Sequence, residues 1–260
     1  MNTIHPSAII DPNANIGSGN TIAAHCVIEA DVSLGNNNIL NHGAILKDGC
    51  RIGDNNIFYE YSVMGGCPQD VSFDKQAKTV VEIGDNNEFR EYTTVNRASL
   101  KEQGITRLGN HNYLMAHAHI GHDCVLADNI VMVVSSGLGG HVHVERNAFI
   151  SGGVMVHQFT RIGAYAMIGG NAKITQDVLP FLITDGIPAC VKGINVVGLK
   201  RAGFKRSDIS NLKEAYRLLF SSGLPLEQIV EQLNDINSNL INELSEFLVE
   251  SKRGFHRTER

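Results

Sequence analysis

The chain has 260 residues, of which 19% are charged, and a formal net charge of −5 at pH 7. This balance gives no general affinity for nucleic acid or anionic membranes, and no run of 18 apolar residues could span a bilayer. The N-terminal segment has no basic region followed by an apolar block, so no secretory signal is expected and the cytoplasm is the predicted compartment. Five cysteines without CxxC spacing argue against a disulfide framework or a zinc knuckle.

An apolar residue recurs every six positions through most of the first 180 residues. The series has three parts: Ile4, Ile10, Ile16, Ile22, Ile28, Leu34, Leu40, Leu46, Ile52, Phe58 and Met64; then Ile83, Phe89 and Val95; then Leu108, Leu114, Ile120, Leu126, Met132, Leu138, Val144, Ile150, Val156, Ile162, Ile168 and Ile174. Four residues after each apolar position the side chain is usually small, as at Ala8, Ala14, Cys26, Ala44, Cys50, Ala118, Cys124, Ala148 and Ala166.

A period of six fits neither a 3.6-residue helix nor a lone hairpin, and it is typical of the hexapeptide repeats of a parallel β-helix. Three short strands make one triangular coil of about 18 residues, with the aliphatic residue inside and the small residue beside it near a corner. About nine coils, at ~4.8 Å each, would give a prism ~40 Å long. Residues 1–180 are therefore predicted to form an all-β domain in which Cys26, Cys50 and Cys124 are buried packing residues.

Two insertions break the register of the repeat. They lie near residues 65–80 ("GGCPQDVSFDKQAKTV") and 97–107 ("RASLKEQGITR"). Loops that leave a rigid solenoid often carry function, although a tolerated surface insertion is an open alternative for each.

The pattern changes after Pro180. Residues 181–206 are predicted to be a Gly-rich basic connecting segment, and residues 207–260 have the apolar spacing of α-helices. A small C-terminal helical domain would cover the open apolar end of the β-helix. The connecting segment carries the basic residues Lys192, Lys200, Arg201, Lys205 and Arg206.

Ten of the eleven histidines lie within or beside the repeat, and none of them occupies an inward position, so they are not satisfied core residues. A solvated polar corner is the alternative, and it is the interpretation for His5, His25 and His42. Residues 18 apart stack on adjacent coils, which places His122, His141 and His157 along one edge. By the same arithmetic Gly140 lies over His122, Asp123 lies under His141, and Gln158 lies over Gly140. A column of titratable groups beside a glycine backbone is suited to acid–base chemistry.

Two chemistries are compatible with this histidine pattern. His117 and His122 have an H-x4-H spacing that, with a third histidine, could bind zinc as in the γ-class carbonic anhydrases. The upstream third ligand of that class is missing, because no histidine lies between His42 and His111. The other possibility is a metal-free general base that takes a proton from a substrate hydroxyl near neutral pH.

Several motifs together resemble the UDP-N-acetylglucosamine acyltransferases of lipid A biosynthesis, nearly end to end. They are "CPQD" (67–70), "HIGHDC" (119–124), "GGHV" (139–142), "VHQF" (156–159) and "GINVVGLKRAGF" (193–204). The resemblance implies a homotrimer of left-handed β-helices with active sites between subunits. It also implies a 3-hydroxyacyl donor carried on the phosphopantetheine of acyl carrier protein, a UDP-sugar acceptor, and neither a metal nor a bound cofactor.

The resemblance also assigns roles to individual residues. His122 matches the general base for the sugar 3-hydroxyl, Asp123 its supporting carboxylate, and the N–H of Gly140 the oxyanion donor. Gly170 lies where the family measures acyl length. The remaining expected substrate contacts are Gln69, Asp70, His119, His141, His157, Gln158, Asn195 and Arg201. Because the carrier protein is acidic, the basic residues of segment 181–206 are candidates for its docking surface.

The chain departs from the family pattern at four places. Ser72 replaces a lysine, Val197 an acidic residue, Ala202 the second arginine of "KRR", and Asn96–Ala98 reads "NRA" instead of "HRG". These changes leave a 3-amino sugar nucleotide, or another nucleotide sugar, open as the acceptor.

Overall fold

The computed structural model describes residues 1–259, which form a left-handed parallel β-helix followed by a helical domain. The first fourteen strands are β1 (Thr3–Ile4), β2 (Ile9–Ile10), β3 (Asn15–Ile16), β4 (Thr21–Ile22), β5 (Val27–Ile28), β6 (Ser33–Leu34), β7 (Ile39–Leu40), β8 (Ile45–Leu46), β9 (Cys50–Ile52), β10 (Ile57–Phe58), β11 (Val63–Gly66), β12 (Val80–Ile83), β13 (Glu88–Phe89) and β14 (Thr94–Asn96). The predicted fold class is confirmed.

The second half continues the same pattern and ends in helices. Its strands are β15 (Ile105–Leu108), β16 (Tyr113–Leu114), β17 (His119–Ile120), β18 (Val125–Leu126), β19 (Val131–Met132), β20 (Gly137–Leu138), β21 (His143–Val144), β22 (Phe149–Ile150), β23 (Met155–Val156), β24 (Arg161–Ile162), β25 (Met167–Ile168), β26 (Lys173–Ile174), β27 (Leu182–Asp185) and β28 (Cys190–Ile194). The helices are α1 (Val196–Arg201), α2 (Arg206–Ser221), α3 (Leu226–Asn234) and α4 (Asn239–Glu250).

Every third strand belongs to the same sheet, which gives the prism three faces. Sheet 1 has eleven strands from β1 to β28, sheet 2 has nine from β2 to β26, and sheet 3 has eight from β3 to β24. The inward residues stack directly, as in the pairs Ile120↔Leu138 and Leu138↔Val156. The predicted inward series from Ile22 to Ile174 is buried.

The three cysteines predicted to lie in the small inward slot are buried. Cys26, Cys50 and Cys124 are free thiols with no exposed surface. Burial raises the pKa of the Cys50 and Cys124 thiols to about 12, so neither is a thiolate at neutral pH.

Each edge of the prism is defined by the sheets that meet there. Edge 1 joins sheets 1 and 2, edge 2 joins sheets 2 and 3, and edge 3 joins sheets 3 and 1. A ladder of buried asparagines stabilises edge 3, because each side-chain carbonyl accepts a hydrogen bond from the backbone N–H of the next asparagine. The members are Asn20, Asn38, Asn56, Asn87 and Asn112.

Both insertions leave the prism at edge 2. The first loop connects β11 of sheet 2 to β12 of sheet 3, and the second connects β14 of sheet 2 to β15 of sheet 3. Edge 2 also carries His122, which lies between β17 and β18. The two loops and the histidine column therefore share one edge of the molecule.

The segment 181–206, predicted from the sequence to be a basic connecting segment, contains strands β27 and β28 and helix α1. Strand β27 pairs with β25 and continues sheet 1, and β28 folds back antiparallel to it. Burial alternates along β27, with Leu182 and Thr184 buried, and β28 begins with the buried pair Cys190 and Val191. The basic residues of the segment are exposed. Helix α1 follows directly.

The helices pack over the C-terminal end of the β-helix. Their buried residues, including Leu212, Ile241 and Phe247, share one core with Leu179 and Phe181 of the last coil. Within the described residues, no helix has the length and apolar character needed to cross a membrane.

Candidate active site

The centre of the site is a histidine–aspartate pair on edge 2. Nδ1 of His122 lies 2.7 Å from Oδ2 of Asp123, and the two side chains are 13% and 1% exposed. A carboxylate that accepts from Nδ1–H leaves the Nε2 lone pair of the imidazole free. The pair can therefore act as an oriented base.

Asp123 is held by the backbone and by the second loop. Its carboxylate accepts the N–H of Ser99 at 3.1 and 3.0 Å, and its own N–H donates to Oγ1 of Thr106 at 2.8 Å. Asp123 has a left-handed backbone (φ 60°), a corner conformation that aspartate tolerates. The sequence pattern did not identify Ser99 or Thr106, because both lie within the second insertion, where the six-residue register is lost.

Gly140 lies directly over the imidazole, as the 18-residue arithmetic predicted. A Cβ at this position would lie 2.7 Å from Nε2 of His122, so only glycine leaves the ring its space. The carbonyl of Gly140 accepts the N–H of Phe159 at 3.1 Å. Within residues 1–259 the Gly140 N–H has no acceptor, so it is available to an oxyanion beside the base.

His141 is the most buried histidine of the column. Its side chain is 3% exposed, and Nδ1 lies 2.8 Å from Oε1 of Glu102. Its ring stacks on Phe159 at 4.4 Å between centroids and meets His122 edge-on at 5.1 Å. Glu102 belongs to the second loop, and the position of that insertion was the only sequence signal for it.

His119 lies on the outward side of sheet 2, on the coil of His122. Its Nδ1 is 2.8 Å from Oγ1 of Thr94. Burial, and to a smaller extent the positive charge that His122 can carry, lowers the pKa of His119. A neutral His119 at pH 7 is therefore suited to hydrogen bonding with a polar substrate.

His157 and Gln158 lie one coil above Gly140 and are both exposed. The Nδ1–H of His157 donates to the carbonyl of Gln158 at 3.1 Å. Their position on the coil above Gly140 agrees with the stacking arithmetic, and both side chains are accessible from solvent.

The first loop supplies Gln69 and Asp70 at the same edge. Gln69 is exposed, whereas the Asp70 carboxylate contacts Nζ of Lys101 at 2.6 Å and accepts from the N–H and hydroxyl of Ser72. The Lys101 ammonium, and then Ser72, holds the pKa of Asp70 well below its usual range. Position 72, where the family pattern has a lysine, is a serine in this chain. The cation beside Asp70 is Lys101 of the second loop.

Three predicted site residues lie away from this cluster. Arg201 lines a groove of about 510 Å³ on the sheet 1 side, together with Val197 and Ala202. The Asn195 amide is committed to structure, because it donates to the Tyr165 carbonyl and accepts the N–H of Gly198 as the cap of α1. Gly170 lies at edge 1, and a Cβ there would be 3.6 Å from the Gly152 carbonyl.

His117 and His122, which the sequence offered as a zinc pair, lie at different edges of the prism. His117 lies at edge 1, before β17, and its ring stacks on Tyr92 at 5.1 Å. Among residues 1–259, the one group with metal-ligand spacing is His122, Asp123 and His141, whose ligand atoms lie within 4.8 Å of one another. Two of these three groups already share a hydrogen bond, which favours a proton-transfer role.

Comparisons with known proteins agree on one family. Residues 177–256 match the second domain of UDP-N-acetylglucosamine O-acyltransferases. The acyl-[acyl-carrier-protein]–UDP-N-acetylglucosamine O-acyltransferase of Alkalilimnicola ehrlichii is 47% identical over 99% of this chain and 100% of its own length. The enzyme of that name from Janthinobacterium sp. is 43% identical with the same coverage. The crystal structure of Francisella novicida UDP-N-acetylglucosamine acyltransferase superimposes with a TM-score of 0.97 at 34% identity, covering 99% of this chain and 95% of that one.

Proposed function

The chain belongs to the acyl-[acyl-carrier-protein]–UDP-N-acetylglucosamine O-acyltransferase family, and on this premise we propose that His122 is the general base with which it acylates UDP-N-acetylglucosamine in lipid A biosynthesis. The observation that carries the assignment is the geometry at edge 2. One imidazole nitrogen is bound to a buried carboxylate, and the other faces Gly140, whose N–H has no acceptor in the part of the chain that the structure describes.

The reaction follows from these groups. Nε2 of His122 removes the proton of the sugar 3-hydroxyl as that oxygen attacks the thioester carbonyl of the acyl carrier. The Gly140 N–H stabilises the resulting oxyanion, and the protonated His122 returns its proton to the departing thiolate. General-base catalysis contributes ~10²–10⁴-fold and an oxyanion donor ~10²–10³-fold. No covalent enzyme intermediate is needed.

The outward residues of sheet 2 lead from edge 2 toward edge 1. Gly137 is the outward residue between His119 and Met155 on adjacent strands, and the flexible Met155 side chain covers it, with Sδ 3.1 Å from the place that a Cβ of Gly137 would take. A chain that starts at Gly140 and crosses this face reaches Gly170 at edge 1. We infer that the 3-hydroxyacyl chain lies along this route, and that Gly170 limits its length less than a larger residue would.

The donor protein docks, in our proposal, on the basic surface around α1. Lys200 and Arg201 end that helix, Lys205 and Arg206 follow it, and all four are exposed. Lys192, also predicted for this surface, is instead paired with Glu259. An acidic carrier protein is attracted to such a cluster even though the whole chain is negatively charged.

We infer a homotrimer, and the outward residues of the three sheets support it. The outward residues of sheet 3 are mostly polar: Asn15, Ser33, Arg51, Glu82, Arg107, His143 and Arg161, beside the apolar Val125. Sheets 1 and 2 are apolar over much of their surfaces, with Ile39, Ile57, Val131, Phe149 and Met167 on sheet 1 and Ile9, Val27, Ile45, Val63 and Met155 on sheet 2. Three prisms that pack sheet 2 of one subunit against sheet 1 of the next would bury both faces and place edge 1 on the axis.

That arrangement would complete the active site. Edge 2 of one subunit would then meet edge 3 and the sheet 1 groove of its neighbour, so His122 would face the groove that contains Arg201. We place this reaction in the cytoplasm, where nucleotide sugars and acyl carrier proteins are made.

The deciding experiment is a mass-spectrometric product assay. It pairs 3-hydroxyacyl carrier proteins of several chain lengths with UDP-N-acetylglucosamine and with its 3-amino analogue, and His122→Ala is the inactive control. An ester product that is lost in the variant is expected. An amide product formed in preference would mean that Val197 and Ala202 mark a changed acceptor, and transfer that survives in His122→Ala would refute the assigned base.

Trimer-dependent catalysis has its own test. Mixed trimers of His122→Ala and Arg201→Ala subunits should recover part of the activity that each homotrimer lacks, because some interfaces combine two intact halves. No recovery would contradict a site shared between subunits.

A further inference from the structure

The second loop contacts three separate parts of the site. The Ser99 N–H binds the carboxylate of Asp123, the Lys101 ammonium binds Asp70, and the Glu102 carboxylate binds His141. These partners come from three different segments of edge 2. A single loop thus connects the base pair, the first loop and the corner that carries the oxyanion donor.

Glu102 reaches the His122–Asp123 pair indirectly, through the side chain of His141. Its carboxylate is 44% exposed, yet its partner His141 is 3% exposed and has Nε2 3.7 Å from Oδ2 of Asp123. The same Asp123 oxygen accepts the His122 Nδ1–H at 2.7 Å. Four ionisable groups therefore form one continuous chain from the loop surface to the base.

His141 is also the residue that follows Gly140 in the corner. Its N–H donates to the His122 carbonyl at 2.9 Å, and its backbone is left-handed (φ 62°). The orientation of the peptide that presents the Gly140 N–H depends on this corner. Among residues 1–259, the one short side-chain hydrogen bond of the His141 ring is to Glu102, and the ring also stacks on Phe159 and meets His122 edge-on.

We propose that Glu102 is a positioning residue for acyl transfer, which fixes the His141 ring through Nδ1 and thereby aligns the Asp123–His122 pair and the Gly140 N–H. This inference rests on the proposed function of the site. Glu102 contacts neither the base nor the oxyanion donor directly. Its loss should therefore act on kcat and leave the binding of both substrates nearly unchanged.

The test compares Glu102→Ala and Glu102→Gln with the unaltered enzyme in the trimer, using UDP-N-acetylglucosamine and 3-hydroxyacyl carrier protein. Glu102→Ala should lower kcat by about tenfold, the effect of one hydrogen bond to a charged group. KM for each substrate should change by less than about twofold. Glu102→Gln should recover kcat to within about threefold of the unaltered enzyme, because the Gln carbonyl can still accept the Nδ1–H.

Two control variants separate positioning from general damage. Glu82 is also 44% exposed and is paired with Arg107 on the polar face of sheet 3, and Gln103 is the next residue of the same loop. Glu82→Ala and Gln103→Ala should each keep kcat within about twofold, since neither side chain contacts the site. Glu102→Gln and the two control variants should unfold at the same temperature as the unaltered enzyme, because each keeps the acceptor of His141 Nδ1–H.

The outcomes are distinguishable. Unchanged kcat in Glu102→Ala, equal losses in the Ala and Gln variants, or equal losses in the controls would each overturn the positioning role. Absence of transfer by the unaltered enzyme would instead count against the proposed function.

Discussion

Gly140→Ala is expected to disable the base without disturbing the fold or the oxyanion donor. The added Cβ would lie 2.6 Å from Cε1 and 2.7 Å from Nε2 of His122. Carbon atoms in contact prefer about 3.5–4.0 Å, so the ring must move by roughly 1 Å. The bond from Nδ1 to Asp123 anchors the other side of the ring, so Nε2 makes most of this movement.

A displacement of this size at the reacting nitrogen should lower kcat by ~10²-fold. The backbone itself accepts alanine, because Gly140 is not one of the glycines with a left-handed conformation. The N–H remains in place. The unfolding temperature should therefore change by no more than about 2 °C.

The assay is steady-state release of the carrier thiol with saturating UDP-N-acetylglucosamine, and a double-mutant cycle is its control. In His122→Ala the ring is absent, so adding Gly140→Ala should cause no further loss. Retention of kcat within about threefold in Gly140→Ala would refute the reasoning. A further loss in the double variant would show that the methyl group acts on the donor peptide instead of the base.

Three further outcomes are expected. His122→Ala should lower kcat by ~10²–10⁴-fold, the contribution of a general base. Its melting temperature should be unchanged, because the ring lies outside the β-helix core. An unfolded variant in circular dichroism would contradict the placement of His122 on the outside of the hexapeptide repeat. Asn56→Ala removes a fully buried amide that bonds to its neighbours on both sides. The free energy of unfolding, measured by urea denaturation, should therefore fall by about 2–4 kcal/mol. A decrease of less than about 1 kcal/mol would mean that the edge 3 ladder contributes little to stability. Burial lowers the pKa of His119 and His256 below 6.5, so the unfolded chain binds protons that the folded chain does not, and stability should fall as pH decreases through 6.5 toward the folded-state values. The difference between the urea midpoints at pH 7.5 and pH 5.5 measures this loss of stability, and it should be smaller in His256→Gln. The same difference in His256→Gln as in the unaltered protein would exclude His256 as a cause of the pH dependence.

The sequence determined which side chains face inward and which stack on one another. In a β-helix the face of a residue depends on its position within the six-residue repeat, and its neighbours lie one coil of about 18 residues away. Both quantities can be read from the chain, which is why the inward series, the buried cysteines and the placement of Gly140 over His122 were predicted correctly.

Only the tertiary structure decided what lies beyond an insertion. The coil that contains the first loop separates Asn56 from Asn87 by 31 residues, and the next separates Asn87 from Asn112 by 25, so residue arithmetic cannot tell where the loop side chains go. The contacts of Ser99, Lys101 and Glu102 depend on loop conformation and rotamers, and these have no period. The same holds for β27 and β28, which extend sheet 1 through hydrogen bonds after the hexapeptide pattern has ended, because strand pairing needs a free sheet edge and not a repeat.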